Sequence, residues 1–314
     1  MTQRVSFVVP ARNEQRWIGA MIDAVRANVP PDTPYEIIVA DNGSVDSTAD
    51  IARQRGADAV IATTGTVAAA RNAGVARSRG GVLVFLDGDV MLTARWRERF
   101  PAVLAALAAE PATVTGSTVI VPERATWIEE HWFRRQQQRA HTHINSGHLI
   151  TTRALFEQLG GFNTALETGE DADFTARARA AGARIVDDAT LPAVHEGFPK
   201  SLRHFFRREL WHGKGDFLSL GRFLKSRIAQ LGTLFLHLQL LALLAGAVLR
   251  DWRIPVVTVG ACLLAAVLVA ALRFRPLGAA SLAVNGLLYY AYFLARGLSM
   301  YAVLFGAPVR RATR

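Results

Sequence analysis

Val5-Ser6-Phe7-Val8-Val9-Pro10-Ala11-Arg12-Asn13-Glu14 decides the fold. The apolar run 5–9, stopped by Pro10, reads as a buried strand, and Ile18, Met21, Ile22 and Val25 after it keep helical spacing. The strand-then-helix unit repeats: a strand over 36–40, a helix over 46–55, a strand over 57–61, a helix over 67–78 and a strand over 82–86. Alternation of this kind predicts an α/β fold, a doubly wound and mostly parallel sheet with helices on both faces. Ligands of such sheets bind beyond the carboxyl ends of the strands. Residues 10–14, 41–44 and 87–89 fall at those ends.

Further along, 113–121 and 147–152 read as strands and 126–140 as a helix rich in Arg and Gln. A helix opened by Glu170 and Asp171 is closed by Gly182, with a short strand over 184–186 after it.

The chain has 314 residues, 51% hydrophobic and 20% charged, with a mean hydropathy of +0.19. That composition excludes disorder and is slightly too apolar for one fully soluble domain. The one cysteine, Cys262, excludes an intramolecular disulfide and a cysteine-based zinc site.

The net charge of +10 is unevenly spread. Residues 1–196 carry 20 basic and 23 acidic side chains (net −3), residues 197–228 carry 8 and 2 (net +6), and residues 229–314 carry 8 and 1 (net +7). The basic excess therefore flanks the uncharged stretches 228–249, 254–272 and 276–295, each long enough to cross a bilayer core of about 30 Å. Such a pattern points to anionic lipid headgroups and away from nucleic acid.

Between them and the first part, Leu202, Phe205, Phe206, Leu210, Phe217, Leu220 and Leu224 alternate with Arg and Lys. They read as amphipathic helices in the membrane interface, with an ordinary surface helix as the alternative. The expected organisation is an α/β domain over 1–198, interfacial helices over 199–227 and about three membrane helices over 228–309. Arg250, Arg253, Arg273, Arg275, Arg310, Arg311 and Arg314 flank successive ends and leave the orientation of the spans open. The apolar run before Arg12 is too short for a signal-peptide core, which predicts a cytosolic first domain.

Asp87-Gly88-Asp89 follows an apolar strand, so its carboxylates can reach one Mg²⁺ or Mn²⁺ while Gly88 leaves room for a ligand near the backbone. An Asp-Gly turn would look the same.

Taken together with Val8-Val9-Pro10-Ala11-Arg12-Asn13-Glu14, Asp41-Asn42-Gly43-Ser44, Ala70-Arg71-Asn72-Ala73-Gly74, Gly169-Glu170-Asp171 and Trp211-His212-Gly213, the chain resembles the inverting, GT-A-fold glycosyltransferases of family two. The resemblance covers roughly residues 4–215. It implies that Pro10, Arg12, Glu14 and Asp41, with Ser44 beside them, line the nucleotide base and ribose, and that Arg71 lies near the base or the diphosphate. Asp87, next to Gly88, would face ribose and metal, and Asp89 would bind the metal that bridges the diphosphate of a nucleoside-diphosphate sugar. Of the pair Glu170-Asp171, the resemblance makes Asp171 the general base that deprotonates the acceptor hydroxyl.

His195 stands where related enzymes often place a histidine near the metal, and is either a third ligand or a structural residue. His141, His143 and His148 read as acceptor-site or surface residues. Arg207, Arg208 and Trp211 occupy the place of the Gln-x-x-Arg-Trp motif of processive polysaccharide synthases, which Arg208-Glu209-Leu210-Trp211 does not meet. The departure speaks against a polymer-making synthase, and the arginines are expected on a diphosphate or lipid phosphate, with snorkelling to the membrane interface as the alternative.

The expected activity is transfer of a sugar to a hydroxyl of a lipid or lipid-linked acceptor at the cytosolic membrane face. The rivals are synthesis of a polyprenyl-phosphate sugar and a non-catalytic nucleotide-sugar-binding membrane subunit.

Overall fold

Strand β1 (Val5–Ala11) is buried along its whole length, and in the computed structural model its alternate residues enter two different cores. Phe7 and Val9 pack with Ile18, Met21 and Ile22 of α1 (Ile18–Asn28) and with Trp96 and Phe100 of α4 (Ala94–Ala109). Val8 packs on the other side with Ala68 and Val75 of α3 (Val67–Arg77) and with Phe174 and Ala178 of α7 (Glu170–Ala180). A strand buried on both faces reads as a near-continuous apolar run; Ser6, the polar side chain within it, is buried and donates to Glu36 at 2.7 Å. The structure describes residues 4–137, 143–274 and 278–306. His141, Arg275, Arg310, Arg311 and Arg314 lie outside them.

The other elements of the sheet are β2 (Tyr35–Asp41), α2 (Thr48–Gln54), β3 (Ala59–Ala62), β4 (Val82–Leu86), β6 (Thr113–Gly116), β7 (His148–Thr152), α6 (Arg153–Gln158) and β8 (Arg184–Asp187). The seven strands lie in the order β3-β2-β1-β4-β7-β6-β8. The pairs β1–β2, β1–β4, β2–β3 and β6–β8 are parallel, while β7 runs antiparallel to both of its neighbours. The expected mostly parallel, doubly wound sheet is present. Its order reverses at β1 and β4, the position where such sheets open a crevice. A second sheet of two short antiparallel strands, β5 (Val90–Leu92) and β9 (Ala193–His195), was not foreseen.

Three expectations about elements change. β1 does not stop before Pro10 but runs to Ala11. Its ladder with β4 ends at Val8, so the proline, which has no N–H, lies beyond it and pairs only with β2. The strand expected over 113–121 ends at Gly116, whose φ of +143° suits glycine; a Cβ there would lie 2.1 Å from the His148 carbonyl oxygen. The helix expected over 126–140 contains a π-helical turn at Glu129–Phe133 before α5 (Arg134–Gln137).

The chain forms two compact units, Met1–Glu123 with Gln137–Phe198, and Arg124–Gln136 with Pro199–Thr313. The second holds α8 (Leu202–Gly213), a 3₁₀ turn at Lys214–Phe217, α9 (Leu220–Lys225), α10 (Arg227–Leu249), α11 (Arg253–Arg273) and α12 (Ala279–Leu304). Among the described residues, α10, α11 and α12 are long and apolar enough to cross a membrane. The third span runs past Ala295 through Arg296, because Glu209 (3.1 Å) and Asp216 (3.7 Å) pair with that arginine. α8 packs on α12 at Gly213, where a Cβ would lie 2.2 Å from Ser299 Oγ, and Ser299 Oγ donates to the Leu210 carbonyl at 2.8 Å. On α9, Leu220 and Leu224 are exposed.

Candidate active site

β1, β2 and β4 run parallel, so their carboxyl ends share one edge of the sheet. Asp41 ends β2 opposite Ala11. Ser44 donates its hydroxyl hydrogen to the Asp41 carboxylate and accepts the Asn13 N–H at 2.9 Å. Asn13 adopts a left-handed φ of +56° and accepts the Val45 N–H on its side-chain oxygen at 2.9 Å. The Glu14 N–H donates to Thr48 Oγ1 at 2.7 Å. The loops after β1 and β2 are thereby fastened to each other. Arg12 is exposed at this rim, Pro10 is buried in the strand, and Asp41 and Ser44 are half-buried.

Glu14 connects this corner to β4. A Cβ on Gly88 would lie 3.2 Å from Glu14 Cγ, so the Glu14 side chain lies against the Gly88 backbone on that side. Asp89 is buried completely, and Glu196 donates its N–H to the Asp89 carbonyl at 2.9 Å. Because β9 runs antiparallel to β5 with His195 opposite Val90, the imidazole arrives beside Asp89, with Nε2 3.4 Å from Oδ1. Asp87, Asp89 and His195 each offer a ligand atom, and the three atoms lie within 4.8 Å of one another. Two carboxylate oxygens and one imidazole nitrogen suit a divalent cation of the Mg²⁺ or Mn²⁺ class.

The reversed direction of β7 brings its entry loop to the same edge. His148 pairs with Leu86, and Asp87 N–H donates to the Gly147 carbonyl at 3.3 Å. The Asn145 side chain accepts the Gly147 N–H at 2.7 Å and shapes this turn. Ser146 then reaches α7: its hydroxyl donates to Glu170 at 3.1 Å and its N–H to Asp171 Oδ2 at 3.3 Å. Asp171 Oδ1 accepts the Ala172 N–H at 2.8 Å, and His143 Nε2 lies 4.0 Å from Oδ2.

Burial, and then the neighbouring Glu170, push the Asp171 carboxyl above the usual carboxylate range, against the pull of His143, the Ala172 N–H and Arg71. Arg71 lies beneath, its side chain 3% exposed, with Nη1 donating to Glu170 at 2.6 Å and Nη2 to Asp87 at 2.7 Å. Burial works against its charge, but Asp87, Glu170 and Asp171 outweigh it.

His148 is neither an acceptor-site nor a surface residue. It is fully buried, accepts the Trp96 indole N–H at 2.9 Å and contacts Ser117 Oγ at 2.9 Å. Ser117 lies against the other ring nitrogen: its N–H donates to His148 Nδ1 at 3.2 Å, and its Oγ donates to the Leu191 carbonyl at 2.6 Å. Burial lowers the imidazole to about 4. Arg207, Arg208 and Trp211 lie on α8 in the second unit, where Arg208 pairs with Glu209 at 2.6 Å.

One family profile, glycosyl transferase family 2, matches residues 6–160, and a second, glycosyl transferase family group 2, matches residues 103–272. The chain is a family 2 glycosyltransferase. It is 28% identical over 224 residues to glycosyltransferase AglE of Haloferax volcanii, covering 68% of this chain and 72% of that protein. It is 26% identical over 190 residues to an uncharacterized glycosyltransferase of Mycobacterium tuberculosis, covering 58% and 82%. Among solved structures, the mannosyltransferase PcManGT of Pyrobaculum calidifontis, in complex with GDP-Man and Mn²⁺, superposes with a TM-score of 0.59 at 18% identity, over 98% of this chain and 88% of that one. That likeness bears out the GT-A fold of the glycosyltransferase.

Ser146 and Asn13 are site-building residues that sequence reasoning missed. The turn Asn145-Ser146-Gly147 ahead of an apolar strand was the available signal for the first.

Proposed function

We propose that this family 2 glycosyltransferase moves a sugar from a nucleoside-diphosphate sugar to a hydroxyl of a lipid or lipid-linked acceptor at the cytosolic membrane face. The observation that carries the reading is the meeting of the Asp87, Asp89 and His195 group with the Asp87–Arg71–Glu170 bridge that leads to Asp171 at one sheet edge. Asp87, Asp89 and His195 would hold Mg²⁺ or Mn²⁺; when bound, the ion offsets the charge of the departing diphosphate. Asp41, Ser44, Glu14 and Arg12 face base and ribose, which carboxylates recognise by accepting N–H and O–H hydrogens.

Asp171, held by two backbone N–H groups, takes the acceptor proton as the hydroxyl attacks. A raised carboxyl suits that role, since a base works best with its pKa near the working pH. A single displacement of this kind inverts the anomeric centre without an enzyme nucleophile. The basic, amphipathic segment before three membrane-length helices supports a lipid acceptor.

The test is to incubate the purified chain with a panel of nucleotide sugars and Mn²⁺ or Mg²⁺, with mass spectrometry of the lipid products. Sugar-bearing lipid formed only with a divalent cation is expected. Binding without transfer for every donor and lipid extract would refute the reading.

A further inference from the structure

Arg71 touches two carboxylates that belong to different halves of the reaction. Asp87, at 2.7 Å, shares the cation group with Asp89 and His195. Glu170, at 2.6 Å, shares Ser146 with Asp171. With 3% of its side chain exposed and its guanidinium 5.7 Å from the Phe162 ring centroid, Arg71 is enclosed by protein. It therefore reaches the site from beneath.

We propose that Arg71 is a positioning residue that couples occupancy of the cation group to the arrangement of Glu170 and Asp171. This rests on reading Asp87 as a cation ligand and Asp171 as the base. A guanidinium carries one unit of charge over a planar fork, and here the fork serves two acceptors in a buried setting where charges are poorly screened. A divalent cation drawing on Asp87 competes with Nη2 and leaves Glu170 as the principal partner of Arg71. Tighter pairing there fixes the start of α7, which carries Asp171. Linkage makes the effect reciprocal: if cation binding strengthens the Arg71–Glu170 pairing by some factor, formation of that pairing raises cation affinity by the same factor. Donor loading thus arranges the acceptor side before the acceptor reacts.

A double-mutant cycle tests this, reading free Mn²⁺ by electron paramagnetic resonance as Mn²⁺ is titrated into the purified full chain in detergent. In Glu170→Gln the whole Arg71 charge falls on Asp87, and Mn²⁺ binding is expected to weaken about tenfold. In an Arg71→Met background, Glu170→Gln is expected to change it less than about twofold.

Equal weakening in both backgrounds would show that Glu170 acts on the cation directly through space, and would overturn the coupling. No weakening in the Arg71 background would do the same. Should Arg71→Met fail to unfold cooperatively, Arg71→Lys replaces it with the same expectation, because a single ammonium lacks the fork that serves two carboxylates. Failure of the parent chain to bind Mn²⁺, or binding by Asp89→Asn equal to the parent, is a separate outcome that removes the cation reading and the coupling with it.

Discussion

Replacing Asp171 with Asn separates the chemistry of this carboxylate from its structural duties. The carboxylate accepts two backbone N–H groups, from Ala172 at 2.8 Å and Ser146 at 3.3 Å. An amide keeps one acceptor and turns its NH₂ toward the other N–H, a cost of about 1–3 kcal/mol. Against this, Asn removes a buried negative charge beside Glu170, the same two causes that raise the Asp171 carboxyl. The opposing effects leave the midpoint of thermal unfolding within about 5 °C of the parent.

Catalysis has no such compensation, because the amide accepts no proton. Loss of general-base assistance lowers kcat by about 10² to 10⁴, equivalent to about 3–5 kcal/mol on the barrier. Steady-state release of nucleoside diphosphate in the presence of acceptor lipid measures it, with thermal unfolding on the same preparation. In the parent, the rate should fall with acidification as Asp171 protonates, at a pH above the usual carboxylate range. That acidic limb should be missing from the residual activity of Asp171→Asn. A folded variant turning over within about tenfold of the parent would refute the assignment, and would favour an acceptor that is already an anion, such as a polyprenyl phosphate.

His195→Gln removes one of three donors and should weaken Mn²⁺ binding at least about tenfold; unchanged affinity in a spin-resonance titration would take His195 out of the set. His148 titrates at about 4 against an ordinary 6.5. Its folded value is depressed, so its stabilisation is complete above the ordinary value and is lost as pH falls toward the folded one, up to about 3 kcal/mol. Unfolding midpoints of the parent and of His148→Gln across that window should therefore converge on acidification, and parallel pH dependences would contradict the assignment. Gly213→Val must push α8 away from Ser299. Proteolysis at Lys214, Arg222 and Lys225 should accelerate, and an unchanged digestion pattern would show that the contact is dispensable.

Strands β1 and β4 were legible because burial on both faces favours near-continuous apolar runs, and α7 because three acids occupy its first turn. The Asp87-Gly88-Asp89 turn was legible from its place after such a run. What stayed hidden depends on pairings distant in sequence. β9 has only three residues, too few for a pattern, yet it delivers His195. The reversed direction of β7 carries no local mark, and it brings Ser146 to Glu170. Burial of Arg71 and His148 could not be foreseen either, since both residue types usually reach solvent, and here their partners come from other elements. Along α12, Arg296 interrupts the apolar pattern within the span, and its counter-charges, Glu209 and Asp216, come from residues distant in sequence.

The π-helical segment has a consequence for biosynthesis. Trp132 packs on Phe205 (5.1 Å), Tyr289 (4.8 Å) and Tyr292 (5.2 Å), all made later than itself. At about 5–20 residues per second, the ribosome needs roughly 10 to 30 s to travel from Trp132 to Tyr289. For that interval the nascent chain carries Trp132 without its tyrosine partners, with Phe205 alone of the three available to cover it.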